Sequence, residues 1–134
     1  MSRGLRNCNP GNIRHSRSKF VGEVRPSQDS AFKQFESMAY GYRAMFVLLD
    51  SYRRHYGLSN IRAMITRWAP PVENHTEAYI RLVAERSGID AEATLDTQRE
   101  QDMIPVVAAM SEVENGKKAL REDVEAGWRL FVCK

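Results

Sequence analysis

The chain opens on the stretch Arg3-Gly4-Leu5-Arg6-Asn7-Cys8-Asn9-Pro10-Gly11-Asn12-Ile13-Arg14, which begins a loop-rich region that precedes a helical remainder. Pro10 lacks a backbone donor, Gly11 permits a positive φ, and the Asn side chains compete for backbone hydrogen bonds. The stretch therefore predicts an ordered loop and neither a regular helix nor a central strand. Because Asn amides and Arg guanidinium groups bind sugars, carboxylates and phosphates, the loop is also a candidate binding surface. The alternative is a mobile basic N-terminus with one turn.

Residues 1–36 are predicted to form loops with at most a small β-sheet. Three short segments have partial alternation of apolar and polar residues and are separated by Ser, Arg, Pro and Asp: Asn12–Arg14, Phe20–Val24 and Ala31–Phe35. This region is expected to face the substrate.

From Ser37 onward, apolar residues recur at three- and four-residue steps, which predicts about five helices. The first is predicted from a cap at Ser37 through about His55, with a stop at Gly57. The second is predicted to be capped by Ser59 and ended by Pro70-Pro71.

Three more helices are predicted in the second half of the chain. The third is capped by Asn74 or Thr76 and stops at Gly88. For the fourth, Thr97 and Glu100 fit a capping box, its end is Asn115-Gly116, and Pro105 must kink it or lie in its first turn. The fifth is predicted from about Lys117 to Phe131. The fold class is thus mainly α, with a helical core over residues 37–134.

Length and composition indicate one domain over residues 1–134. The 134 residues suffice to bury a core, and 43% hydrophobic and 28% charged residues are ordinary for a globular chain. Net charge is only +3, but residues 1–33 carry seven basic and two acidic side chains, whereas residues 85–125 carry five basic and eleven acidic ones. This asymmetry indicates either a basic face for an anionic partner or attraction between the two regions inside the fold.

No apolar run is long enough to span a bilayer, and the N-terminus does not resemble a signal peptide. We therefore expect synthesis in a cytoplasm and, if the protein leaves it, export by another route. Cys8 and Cys133 are expected to be free thiols. No metal or cofactor is expected, since the two Cys and the scattered His residues match no ligand spacing: His15, His55 and His75.

Glu114 is the main candidate catalytic carboxylate. It follows Ile104, Val107 and Met110 (or Ser111) by three- and four-residue steps, so it ends an apolar stripe and faces the core or a cleft. Burial and the negative end of the helix dipole would both raise its pKa, as a general acid near neutrality requires. The alternative is a helix terminus with no chemistry.

A second candidate segment is Trp68-Ala69-Pro70-Pro71-Val72-Glu73-Asn74-His75-Thr76-Glu77-Ala78-Tyr79. Aromatic faces stack on sugar rings, and Asn or Glu side chains beside them bind hydroxyl and acetamido groups. Trp68, Asn74 and Tyr79 are therefore candidate binding residues, and Glu73 is a candidate second carboxylate. Alternatively, Trp68 and Tyr79 are core residues and Glu73 is a first-turn acid stabilised by the helix dipole.

Together, these segments resemble a family of phage and prophage virion proteins of the P5 type, over about residues 3–128. The resemblance rests on the opening Asn-Pro-Gly-Asn stretch, the Trp-Ala-Pro-Pro segment and Glu114-Asn115-Gly116. It implies a structural virion protein with peptidoglycan-degrading activity. It also implies synthesis in a bacterial cytoplasm, followed by virion association or delivery to the cell wall or periplasm. Cys8 departs from the family's usual Asn-Asn-Asn-Pro, which leaves five residues of the opening stretch as candidate sugar contacts: Arg6, Asn7, Asn9, Asn12 and Arg14.

Glu114-Asn115-Gly116 also resembles the Glu-Ser-Gly of lysozyme-like lytic transglycosylases, in which a helix-terminal Glu is the single catalytic acid. That likeness implies a compact lysozyme-like helical domain. The order of the motifs differs, however, because here the Gly/Asn-rich segment precedes the Glu helix. A lysozyme-like site would therefore need a rearranged topology.

Three functions follow as hypotheses. The first is a peptidoglycan glycosidase, either a muramidase or a lytic transglycosylase, that cleaves the bond between N-acetylmuramic acid and N-acetylglucosamine with Glu114 as general acid. A muramidase would use Glu73 as second carboxylate. The second is a non-catalytic virion or wall-binding protein that contacts glycan strands and other virion proteins. The third, nucleic-acid binding through a helix-turn-helix, is disfavoured because Ala69–His75 is too long and contains two prolines.

Overall fold

Helix α2, Met38–Tyr56, and helix α6, Arg121–Val132, form the most extensive helix pair of the molecule. The structure is a computed structural model and describes residues 1–72 and 74–133. Gly127 allows the close approach of the two helices, because a Cβ there would lie 2.6 Å from Cβ of Tyr42 and 2.9 Å from the Ala39 carbonyl oxygen. Phe46 of α2 stacks edge-on against Trp128 of α6 with ring centroids 5.0 Å apart. This pair forms one side of the hydrophobic core.

Four further helices complete the described helical structure. They are α1 (Arg3–Arg6), α3 (Ile61–Trp68), α4 (Thr76–Ser87) and α5 (Glu100–Asn115). Helix α5 packs on α4 and, less extensively, on α6, α2 and α1. Three of its apolar side chains are fully buried in the core: Met103, Val107 and Met110. The mainly α fold class predicted from the sequence is confirmed.

A small antiparallel sheet lies in the N-terminal region, as predicted. Strand β1 (Glu23–Val24) pairs with β2 (Gln34–Phe35), and Arg14 forms an isolated bridge with Phe32. Parts of all three predicted segments therefore pair, over fewer residues than the alternation indicated. The segments are short because buried side chains, and not a long backbone ladder, hold this region together.

The main such contact is an ion pair between Lys33 and Glu23. Lys33 is fully buried, and its Nζ lies 3.1 Å from Oε1 of Glu23 and donates to the Ser18 carbonyl at 2.9 Å. Arg25 also pairs with Glu23 at 2.9 Å. No partner for Glu23 could be predicted from sequence, because the pair joins residues that are ten positions apart in a region without helical periodicity.

Several predicted helix boundaries are wrong, each for a local reason. The opening stretch does contain a single helical turn, α1, because the Ser2 side chain caps it by accepting from the Leu5 N–H. Helix α3 is capped by Asn60 and not by Ser59. Helix α6 starts at Arg121 and not near Lys117, with Glu122 and Asp123 in its first turn, where acidic side chains favour a helix start.

The caps predicted for α4 and α5 are also wrong, because their side chains make tertiary contacts instead. Thr76 donates to the Ala69 carbonyl, and the N-cap residue of α4 is His75. Thr97 donates to Asp50 at 2.7 Å, and α5 begins at Glu100. Pro105 lies inside α5, in its second turn and not its first. The predicted stops at Gly57, Gly88 and Gly116 are confirmed, since all three adopt the left-handed conformation.

Candidate functional site

The carboxyl group of Glu114 lies in the last turn of α5 and is held by two side chains from other parts of the chain. Its Oε1 accepts a hydrogen bond from Nδ2 of Asn12 at 2.9 Å. Its Oε2 accepts from the hydroxyl of Tyr79 at 2.8 Å. The structure thus joins the opening loop, α4 and the end of α5 at one carboxyl group.

Burial raises the pKa of Glu114 above its ordinary value. The hydrogen bonds from Asn12 and Tyr79 lower this pKa, and so does the neighbouring Trp68 side chain. The effect of burial is larger than these three effects, so the pKa is raised. Burial and the neighbouring carboxylate also raise the pKa of Tyr79 well above its usual range, so its hydroxyl stays protonated. A carboxylic acid with a raised pKa is suited to donating a proton near neutral pH.

Asn12 reaches Glu114 because its backbone is in the left-handed region, with φ of 51°. Asn tolerates this conformation better than most residues. The turn is fixed from within by Asn9, which is fully buried and whose amide bonds the backbone of Ile13 and the carbonyl of Lys33. The Oδ1 atom of Asn12 is buried and, within the described residues, has no hydrogen-bond partner.

Trp68, at the end of α3, packs directly on this loop. Its indole N–H donates to the Gly11 carbonyl at 3.2 Å. A Cβ at Gly11 would lie 2.7 Å from the ring carbon Cζ2 of Trp68 and 3.0 Å from Cγ of Met45. The glycine is therefore required by the close approach of the tryptophan.

Asn115 fastens the same loop to the end of α5. Its Nδ2 donates to the Pro10 carbonyl at 2.9 Å, and its Oδ1 accepts from the hydroxyl of Ser2 at 2.7 Å. Sequence reasoning noted Asn115 only as part of a tripeptide and did not find Ser2. No local pattern could have paired residues that are more than a hundred positions apart.

An open cleft of about 320 Å³ lies over the Glu114 carboxyl group. Arg14 and Phe32 line one part of it, and the guanidinium group of Arg14 stacks 5.2 Å from the centre of the Phe32 ring. The remaining lining comes from the opening loop, the α3–α4 connection and α5: Gly11, Asn12, Trp68, Ala69, Pro70, Asn74 and Glu114. Phe32 was not among the predicted site residues, although an aromatic residue beside a basic loop was a usable signal.

The structure brings most, but not all, of the predicted site residues to this cleft. Tyr79 donates a hydrogen bond to Glu114, and five of the predicted residues line the cleft: Asn12, Arg14, Trp68, Asn74 and Glu114. Asn7 and Asn9 are buried inside the loop, where Asn7 donates to Asp29 at 3.0 Å. Arg6 is exposed on α1 and does not line the cleft, and Glu73 lies outside the described residues.

Neither a metal centre nor a membrane-spanning helix is found within residues 1–72 and 74–133. No three or more His, Cys, Asp or Glu side chains in these ranges are arranged to hold a metal ion. Over the same residues, no helix combines the length and apolar character needed to cross a bilayer.

Comparison with known proteins places the chain in a phage protein family. No protein-family model matches the chain. It is 37% identical over 125 residues to Protein P5 of Pseudoalteromonas phage PM2, and the match covers 91% of this chain and 76% of the phage protein. The chain belongs to the P5 family. This match confirms the resemblance to a phage protein. The name Protein P5 specifies no reaction, so peptidoglycan cleavage by this P5-family chain stays a prediction.

Proposed function

We propose that this P5-family protein cleaves the β-1,4 bond between N-acetylmuramic acid and N-acetylglucosamine in peptidoglycan. The observation that carries the proposal is the buried Glu114 carboxyl group, which faces an open cleft while Asn12 and Tyr79 fix its two oxygens. Catalysis by a general acid requires that neighbouring groups hold the acid rigidly in position.

In the proposed reaction, Glu114 donates its proton to the glycosidic oxygen as the bond to the anomeric carbon breaks. The Tyr79 hydroxyl can donate or accept, so its contact with Oε2 persists when Glu114 carries the proton. The Glu114 carboxylate that results then takes a proton from the nucleophile. In a transglycosylase this nucleophile is the 6-hydroxyl of the muramoyl unit, and an anhydro ring forms.

The lining of the cleft supports this substrate class. Trp68 and Phe32 offer aromatic surface to sugar rings, and Asn74 and Asn12 lie beside them as polar contacts. Among the described lining residues, Glu114 is the one carboxylate, so it is the proposed acid in either reaction. Glu73 stays the candidate for a second carboxylate.

The P5-family membership supports the setting in which such an enzyme would act. A phage that crosses or lyses a bacterial wall needs local cleavage of peptidoglycan, and a small virion-associated domain could deliver it. We propose association with other virion proteins on the same ground. The basic residues of the opening region, Arg14 among them, would attract the anionic wall polymer.

The deciding experiment compares clearing of purified sacculi by the wild type, Glu114→Gln and Glu112→Gln. Glu112 lies two residues before Glu114 on α5 and pairs with Arg86 away from the cleft, so its substitution is the matched control. We expect clearing by the wild type and by Glu112→Gln, and a loss of at least about 100-fold in Glu114→Gln, as for removal of a general acid.

Mass spectrometry of the released fragments identifies the reaction. Anhydro-muramoyl ends indicate a transglycosylase, and reducing ends indicate a muramidase. Equal clearing by all three proteins would contradict the role of Glu114. A folded wild type that binds sacculi without clearing them would instead establish a non-catalytic wall-binding protein.

A further inference from the structure

A second depression adjoins the cleft on the other side of Pro70. It is an open groove of about 730 Å³ between α2 and α3, with Leu48, Tyr52, Leu58 and Arg67 among its lining residues, and is called here the α2–α3 groove. Pro70 lines both the groove and the cleft. A polymer that leaves the cleft past Pro70 therefore enters the groove directly.

Aromatic packing joins the two depressions as well. The ring of Tyr52 lies edge-on to the ring of Trp68, with centroids 6.2 Å apart. Trp68 lines the cleft and Tyr52 lines the groove. The two depressions are therefore neighbours that share Pro70 and are linked by the contact between Tyr52 and Trp68.

Arg67 provides the charge of the groove. Its guanidinium group lies 3.8 Å from the centre of the Tyr56 ring and 5.3 Å from that of Tyr52. Stacking on a ring leaves the N–H edge of a guanidinium group available for a carboxylate. Among residues 1–72 and 74–133, no acidic side chain forms an ion pair with Arg67.

A second groove of the molecule also has an arginine in its lining, but that arginine is held differently. Another open groove, between α3 and α4, is lined by Arg62. The guanidinium group of Arg62 is already paired with both Glu77 and Glu92. Arg62 is thus neutralised by its neighbours, whereas Arg67 is held in place by aromatic rings.

We propose that the α2–α3 groove binds the carboxylate-bearing peptide stem of a peptidoglycan strand whose glycan lies in the cleft. This inference rests on the proposed function for its choice of polymer. Arg67 would bind a stem carboxylate, and Leu48 and Leu58 would contact the small apolar side chains of the stem. The contiguity of groove and cleft, together with the charge of Arg67, selects this occupant.

Binding to intact sacculi in the Glu114→Gln background tests the proposal, because it does not require cleavage. Arg67→Glu is compared with Arg81→Glu, which makes the same charge change at an exposed position in the α3–α4 groove. We expect Arg67→Glu to weaken binding about tenfold, equivalent to about 1.4 kcal/mol, and Arg81→Glu to weaken it less than twofold. Thermal melting confirms that both variants fold.

A second arm uses soluble glycan strands from which an amidase has removed the peptide stems, leaving the lactyl carboxylate on each muramoyl unit. There we expect Arg67→Glu and its parent to bind equally. Three results would each overturn the proposal: an undiminished effect of Arg67→Glu on binding to stripped glycan, an equal effect of the two charge reversals, or self-association of the chain that Arg67→Glu abolishes.

If the wild type fails to clear sacculi while the stem-dependent Arg67 effect persists, the proposed catalysis fails and the stem site stands. If the wild type clears sacculi and Arg67→Glu binds them as its parent does, the stem site fails and the proposed catalysis stands.

Discussion

The side-chain amide of Asn115 donates to the backbone carbonyl of Pro10 at 2.9 Å. The residue next to the candidate acid is thereby fastened to the loop that supplies Asn12. The distance between Asn12 and Glu114 is consequently set by contacts outside the cleft as well as by their own hydrogen bond. A site supported in this way holds its geometry before any substrate binds.

Replacing Tyr79 with Phe removes one of the two hydrogen bonds to Glu114. Because that bond lowers the pKa of Glu114, its loss raises this pKa further. A general acid is active while protonated, so activity is present below the pKa and lost as pH rises through it. We expect the alkaline limb of the pH profile for sacculus clearing to move to higher pH in Tyr79→Phe.

Tyr40→Phe provides the control for this measurement, because Tyr40 packs against Gly22 and does not line the cleft. Its pH profile should match that of the wild type. An alkaline limb in Tyr79→Phe that stays in place, or moves to lower pH, would show that Glu114 does not set it.

Glu114→Gln should be at least as stable as the wild type at pH 7. Burial raises the pKa of Glu114 in the folded state, so ionisation of this carboxyl group disfavours folding. The cost is fully present above the folded pKa and absent below the unfolded pKa near 4.5. The substitution removes this charge, so we expect a gain on the order of 1 kcal/mol at pH 7, of the size common when functional strain is relieved.

Chemical denaturation at several pH values measures this effect. The advantage of Glu114→Gln should shrink as pH falls and vanish below about 4.5. A variant that is destabilised at pH 7 and regains stability in acid would contradict the raised pKa of Glu114.

Gly11→Ala should destabilise the fold and displace Trp68. The added Cβ would lie 2.7 Å from the indole ring and 3.0 Å from Met45, so side chains must shift, at a cost of about 2 kcal/mol. We expect a lower midpoint of denaturation, a changed tryptophan emission spectrum, and loss of sacculus clearing.

Gly88→Ala is the matched control for Gly11→Ala. Gly88 has φ of 73° and nothing within 4 Å of an added Cβ, so alanine there costs only backbone strain of about 1 kcal/mol. Emission and clearing should remain as in the wild type. Unchanged emission in Gly11→Ala would refute the contact with Trp68.

Lys33→Met should weaken the N-terminal region by breaking a buried ion pair. Burial by itself would raise the pKa of Glu23, but hydrogen bonds from Arg25, the Phe20 N–H and Lys33 bring it below its ordinary value. Removing Lys33 leaves Glu23 buried with Arg25 alone, and we expect a loss of about 3 kcal/mol in the free energy of unfolding.

The double variant Lys33→Met/Glu23→Gln should recover part of this loss, because no unpaired charge stays buried. The gap between the wild type and Lys33→Met should also narrow as pH falls. Because the pKa of Glu23 is lower in the folded than in the unfolded protein, its ionisation stabilises the fold above the unfolded pKa near 4.5. This stability is lost as pH falls through the folded pKa. A double variant less stable than Lys33→Met would contradict this account.

The helices could be predicted from the sequence because their signals are local. Apolar residues at three- and four-residue steps and left-handed glycines at 57, 88 and 116 placed α2, α4 and α5 nearly correctly. The same periodicity placed Glu114 at the end of a buried stripe. Cap residues failed where a side chain had a tertiary alternative, as Thr97 did with Asp50.

The assembly of the site could not be predicted, because it depends on contacts between distant parts of the chain. Asn12 and Glu114 are 102 positions apart, and Tyr79 is 35 positions from Glu114. Nothing in the opening stretch distinguishes the cleft-lining Asn12 from the buried Asn9, since both are Asn beside Pro or Gly. Their roles differ through the backbone conformation of the turn and through what packs over it.

The hydrogen bond between Asn12 and Glu114 has a consequence for biosynthesis. The residue that would protonate the glycan is synthesised 102 positions after Asn12, which holds its carboxyl group. Interrupted translation products that end before residue 114 therefore lack the acid, and those that retain it carry the complete opening loop as well. The proposed activity would thus depend on synthesis beyond residue 114, and fragments that end earlier would not cleave the wall.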